Sequence, residues 1–194
     1  MKRLSICTGF LLAATTLLAQ PGPPSGMRQG PPPGPPKSPP ATESAAIGGK
    51  TITITYSSPR VRGREGQIFT KDGLISHDAT YPVWRAGANA ATTLHTDTDL
   101  EIGPNLAKVP KGDYTLFIDI SDPAHWILIV NKQTGQWGTV YDKSQDLVRV
   151  EMGMEKPSAP VENLKYTLTP LGANWGSLEI DWENYAAYVP LYVH

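Results

Sequence analysis

Arginine stands at alternate positions in Arg60-Val61-Arg62-Gly63-Arg64. In an extended segment these three guanidinium groups share one face, and their forked donors match the oxygens of carboxylate or phosphate groups. The same pattern also suits a solvated edge strand whose charge discourages aggregation. A second stretch, Trp84-Arg85-Ala86-Gly87-Ala88-Asn89-Ala90-Ala91-Thr92, sets one arginine and one asparagine among small residues. Such a run packs its backbone closely and holds two long polar side chains in fixed directions. It forms either a binding cup or a buried polar network that fastens a loop, since buried polar groups need partners. Arg64, Trp84, Arg85, Asn89 and Thr92 are therefore candidate binding residues. Trp137 joins them, because a ring beside Gly138 in a turn can stack on a sugar or a peptide.

Other chemistries find less support. The four histidines are His77, His95, His125 and His194, spread far apart along the chain. The segment His95-Thr96-Asp97-Thr98-Asp99 is polar at alternate positions, but it lacks the glycine and late glutamate of a calcium loop. No metal site is expected, and no cofactor. There is no Gly-x-Ser-x-Gly elbow and no phosphate-binding glycine loop followed by Lys-Ser/Thr. Glu179 and Asp181 share a strand face, and that spacing alone does not make a glycosidase pair. An enzyme on this chain would be hydrolase-like, using Arg85 and Asn89 to stabilise an anion with His77 or His95 as base. The favoured reading is a non-catalytic module that binds a small molecule, glycan or peptide through Ser57 to Thr93.

The elements that must position these residues are strands. Ile52, Ile54 and Tyr56 alternate with Thr51, Thr53 and Thr55, the period of a strand with one buried face. The alternation returns in Tyr114-Leu116-Ile118-Ile120, Trp126-Leu128-Val130, Val148-Val150-Met152-Met154, Leu164-Tyr166-Leu168, Leu178-Ile180-Trp182 and Val189-Leu191-Val193. Thr92 to Thr96 and Leu100 to Ile102 are shorter candidates. Turn residues such as Gly103-Pro104-Asn105 and Pro110-Lys111-Gly112-Asp113 separate them, and short turns imply antiparallel pairing. An all-β antiparallel sandwich of about eight or nine strands is expected, with a barrel as the alternative. Trp126 and Trp182 fall on buried phases. The aperiodic stretch from Ser57 to Ala91 is long for a loop, and long loops inside compact domains are often functional.

Before the strands the composition changes. Lys2 and Arg3 precede the uncharged, largely apolar run Leu4 to Ala19, which reads as a signal peptide over residues 1–19. The run is short for a bilayer span, so cleavage is expected rather than anchoring. Cys7 is the single cysteine and lies within it, so the mature chain has no thiol, disulfide or thiolate metal site. Residues 20–46 hold ten of the 19 prolines and read as a disordered tether, leaving residues 47–194 as the folded domain. The chain of 194 residues has 17 basic and 18 acidic side chains, which gives no electrostatic footprint for nucleic acid. A periplasmic or secreted location follows from the signal, with no transmembrane segment after its removal.

Several motifs stand together in order: Ser58-Pro59 through Gly63-Arg64 and Ile68-Phe69, then Val83-Trp84-Arg85-Ala86-Gly87-Ala88-Asn89-Ala90-Ala91-Thr92. Val109-Pro110-Lys111-Gly112-Asp113-Tyr114-Thr115-Leu116 and Gln136-Trp137-Gly138-Thr139-Val140-Tyr141-Asp142 follow. Over residues 47–194 the ensemble resembles the exported bacterial family known as domain of unknown function twenty-nine-eleven. The segment Ile75 to Pro82 is longer than the family's usual approach to Val-Trp-Arg and reorders its residues. The resemblance implies an exported bacterial domain and carries no activity.

Overall fold

A tight glycine turn starts the fold. In the computed structural model, which describes residues 36–194, Gly48 and Gly49 have φ of 58° and 73°. These left-handed values are what a two-residue hairpin turn demands, because they match the twist of the flanking strands. The turn joins β1 (Pro40–Ile47) to β2 (Lys50–Ser57), paired from Pro40 opposite Ser57 to Ile47 opposite Lys50. Residues 40–46 are thus a strand and not the end of a tether. The sequence reading missed it because Ala41, Ala45 and Ala46 supply little apolar contrast. Pro40 is tolerated because β1 is an edge strand, where one row of backbone donors needs no partner.

Two antiparallel sheets make a sandwich, with no closed barrel. The first is ordered β1-β2-β4-β7-β8-β9, where β4 is Thr92–Thr96, β7 Gly112–Asp119, β8 Ile127–Asn131 and β9 Asp146–Glu151. The two-residue β3 (Val83–Trp84) adds to the far end of β7. The second runs β11-β12-β13-β5-β6, from β11 (Val161–Pro170), β12 (Trp175–Glu183), β13 (Tyr185–Val193), β5 (Leu100–Ile102) and β6 (Ala107–Val109). β10 (Gly153–Glu155) pairs with the start of β13. The thirteen strands exceed the expected eight or nine. The extra ones are β1, the segments β3 and β6, too short for alternation to declare itself, and β10, which the structure splits from the Val148–Met154 run and pairs in the other sheet. Among the described residues no helix is long and apolar enough to cross a membrane.

The core follows the period-two reading. Ile52, Ile54, Leu94, Leu116, Leu128 and Val130 of the first sheet face Leu164, Tyr166, Leu178, Ile180, Trp182, Val189 and Leu191 of the second. The central β7 is also covered on its outer side, where Phe117 packs with Val83 and Ile129 and meets Tyr141 edge-on. Beside β11 the two sheets are stitched by side chain to backbone bonds. Leu168 N–H donates to Glu43 Oε1 at 3.2 Å, and Ser58 Oγ donates to the Leu164 carbonyl at 2.6 Å.

The stretch from Ser58 to Pro82 has little regular structure but is anchored. Val61, Ile68 and Ile75 are buried, and Phe69 lies within 5.7 Å, centroid to centroid, of Trp84, Trp126, Trp182 and Tyr185. Offset and edge-on aromatic contacts of this kind add to the area they bury. The loop therefore carries its own piece of the core.

Candidate functional site

The arginine run begins beside an edge strand and then leaves it. Leu164 N–H donates to the Pro59 carbonyl at 2.9 Å and Val61 N–H to the Glu162 carbonyl at 2.8 Å, so Pro59–Val61 covers the bulged start of β11. Arg62 and Gly63 then take φ of 55° and 71°, and the chain turns. The three arginines are not displayed along an extended face, as alternation alone suggests. The turn still leaves Arg60, Arg62 and Arg64 on the wall of one cavity of about 370 Å³, with Lys37, Arg85 and Asn89. Arg64 is committed to its own loop, donating from Nε to the Val61 carbonyl at 2.8 Å and from Nη2 to the Arg60 carbonyl at 2.6 Å.

The opposite wall comes from the Trp84–Thr92 stretch. β3 fixes Trp84 against the end of β7, and its ring stacks on Trp182 at 5.8 Å with 16° between planes. Trp84 is fully buried, so it supports the wall and does not meet solvent. Thr92 is buried as well, and its Oγ1 donates to the Ala86 carbonyl at 3.0 Å. Tyr166 OH donates to the same carbonyl at 2.9 Å, which pins the turn after Arg85 to the second sheet. Of the candidate binding residues, the structure brings Arg64, Arg85 and Asn89 together and sets Trp84 and Thr92 behind them.

Arg85 has a partner that sequence reasoning did not assign. Its Nη2 donates to Asp78 Oδ1 at 2.7 Å and its Nε to Oδ2 at 3.3 Å, with both side chains less than a fifth exposed. Asp78 follows the short turn Ile75–His77 and donates its own N–H to the Ile75 carbonyl at 3.0 Å. The spacing of seven residues falls in an aperiodic stretch, so no pattern announced the pair. Asn89 does not share this network. It is exposed at φ 61°, and its Nδ2 reaches the Ser38 carbonyl at 3.4 Å. The alternative of one buried network for both residues therefore holds for Arg85 only.

Gly138 supports this wall from behind. Its N–H donates to the Asn89 carbonyl at 3.0 Å, and a Cβ there would stand 2.5 Å from Arg85 Cδ. Only glycine allows that approach. The neighbouring Trp137 bridges Ala90 through its backbone, is 55% exposed and lies outside the cavity lining.

No histidine lines the cavity. His77 is exposed on the short turn, and His95 lies on β4 with its ring between Asp113 Oδ1 at 2.8 Å and Asp97 Oδ1 at 3.1 Å. Those carboxylates raise the imidazole above its ordinary value, chiefly through the Asp113 hydrogen bond and then the Asp97 one. A general base drawn from either histidine would have to act away from Arg85. The one carboxylate lining the cavity beside Arg85 is Asp78, and both its oxygens already accept from the guanidinium. Among the described residues no group of three histidine, cysteine or acidic side chains is placed to hold a metal ion.

The fold and cavity define an all-β sandwich domain with a basic cleft on its irregular side. A family model described as a protein of unknown function, DUF2911, matches residues 38–191, and the chain belongs to that family. The match begins just ahead of β1, in accord with that strand being part of the domain. No curated protein and no solved structure matches the chain.

Proposed function

We propose that this chain is an exported, non-catalytic binding module that takes a small molecule, glycan or peptide through the Ser57 to Thr93 region. The observation behind the reading is the cavity of about 370 Å³ on which the arginine turn and the Arg85–Asn89 wall converge. Its size lies in the usual range for small-ligand sites. The walls are rigid: Arg85 is held by Asp78, Ala86 by Thr92 and Tyr166, and Asn89 by Gly138. A preformed wall lowers the ordering cost of binding. Export rests on the signal-like residues 1–19.

The test is a thermal-shift screen of the full mature chain against neutral glycans, short peptides and organic acids. A ligand that binds only the native state must raise Tm. A hit whose effect disappears on Arg62→Ala and persists on Trp137→Ala supports this cavity. Turnover of any hit would overturn the non-catalytic part, and hits insensitive to the cavity residues would overturn the site.

A further inference from the structure

Resting on that reading of the cavity, we infer that its ligand is a small polyanion, a molecule bearing phosphate or carboxylate groups. Five cationic side chains, Lys37, Arg60, Arg62, Arg64 and Arg85, line the cavity against the single carboxylate of Asp78. The chain as a whole is nearly neutral, with 17 basic and 18 acidic residues, so this excess is a local concentration of charge. A concave surface focuses such a field more strongly than a flat one and draws counter-ions to it.

The cations divide by what they already hold. Arg64 is spent on the carbonyls of Val61 and Arg60, and Arg85 on Asp78. Arg62 gives one Nη2 bond, at 3.2 Å, to the Lys37 carbonyl. The Arg60 guanidinium and the Lys37 ammonium donate to no acceptor among the described residues. Glu162 accepts from Arg62 N–H at 3.2 Å and, among the described residues, pairs with none of these cations through its carboxylate. Arg64 and Arg85 therefore shape the walls, while Arg60, Arg62 and Lys37 present free donors. A guanidinium fork meets two oxygens of one phosphate or carboxylate at once. Three neighbouring cations favour a ligand with more than one charge.

The wall between them is apolar in part. Ile75 and Trp182 line it with little exposed surface, and Leu74, which is exposed, supplies the larger apolar face. A carbon skeleton against Leu74 with anionic ends toward Arg60 and Lys37 fits both surfaces.

The experiment titrates the full mature chain with pyrophosphate, citrate and neutral cellobiose, following Tm and heat of binding. Pyrophosphate and citrate separate phosphate from carboxylate preference. At about a hundredfold excess over Kd, the preferred anion should raise Tm by about 5–10 °C, and the effect should weaken as salt screens the charges. Arg60→Glu should weaken its Kd by about tenfold or more, the size expected when one charge-assisted contact is reversed. Lys50→Glu, which makes the same cation-to-anion change at the exposed start of β2, should leave Kd unchanged. Equal weakening by both variants would reduce the effect to net charge and overturn the inference. So would no Tm rise with either anion at about 10 mM. A rise with cellobiose that depends on Arg62, alongside silent anions, overturns the polyanion while the binding module stands.

Discussion

Asp78 accepts two hydrogen bonds from Arg85, at 2.7 and 3.3 Å, across a turn that leaves both side chains mostly covered. The pair joins the irregular loop to the end of β3, and both residues line the cavity. Removing either partner leaves a half-buried charge with unmet hydrogen bonds. Arg85→Ala and Asp78→Ala should each lower stability by about 1.5–3 kcal/mol, the range for hydrogen bonds to charged groups. The double variant should lose less than the sum of the two. Chemical denaturation with an unchanged slope checks this. Strictly additive losses would show that the two groups act independently.

Asn89 acts through its backbone. At φ 61° an alanine is strained by about 1–2 kcal/mol, whereas glycine is at ease. Asn89→Ala should lower stability by about 1 kcal/mol and Asn89→Gly by no more than a few tenths. Equal losses for both variants would assign the stabilisation to the side-chain bond to Ser38 instead.

Gly138→Ala tests the support behind the wall. Its Cβ would meet Arg85 Cδ at 2.5 Å and the Asn89 carbonyl oxygen at 2.8 Å, and the second contact is backbone. A loss of about 1–3 kcal/mol is expected, the usual consequence of overfilling a packed site. The variant should also weaken any ligand response, because Arg85 and Asn89 must shift. A variant as stable as the parent would mean the wall moves freely.

His95 gives the chain a pH dependence of known sign. Its bonds to Asp113 and Asp97 raise its folded pKa above the unfolded 6.5. The stabilisation is complete below about 6.5 and fades as pH rises through the raised value. The site is exposed, so the effect should stay under about 1 kcal/mol and shrink with salt. An NMR titration of the His95 ring should give a midpoint above 6.5, returning toward it in Asp113→Asn. A midpoint at or below 6.5 would refute the pairing.

The sandwich was legible because alternation is a local property. Ile52 and Ile54, or Leu178, Ile180 and Trp182, declare their buried faces within a few residues, and the sheets bury those positions. The strand β1 was missed although its turn was written plainly in Gly48-Gly49, since alanine and serine give no contrast of polarity. Membership of the family was legible too, from motifs in order along the chain.

Within the candidate site, residue type picked out Arg64, Arg85 and Asn89, and the tertiary structure decided what each does. Arg64 bonds its own loop, Arg85 is taken by Asp78, and Asn89 stands at the surface in a left-handed turn. Trp84, named with the stretch that holds Arg85 and Asn89, is buried against Trp182 from the other sheet. Arg64 and Arg85 find their partners three to seven residues away, where the chain turns back on itself, whereas Asn89 and Trp84 meet Ser38 and Trp182 from distant parts of the chain. Chain segments without a period acquire their neighbours only when the sheets close over them, so the sequence alone determined the longer alternating strands, several residues of the candidate site and the family. Which arginine is held and which is left unpaired was decided by how the turns fold back on themselves, a geometry that residue type alone does not specify.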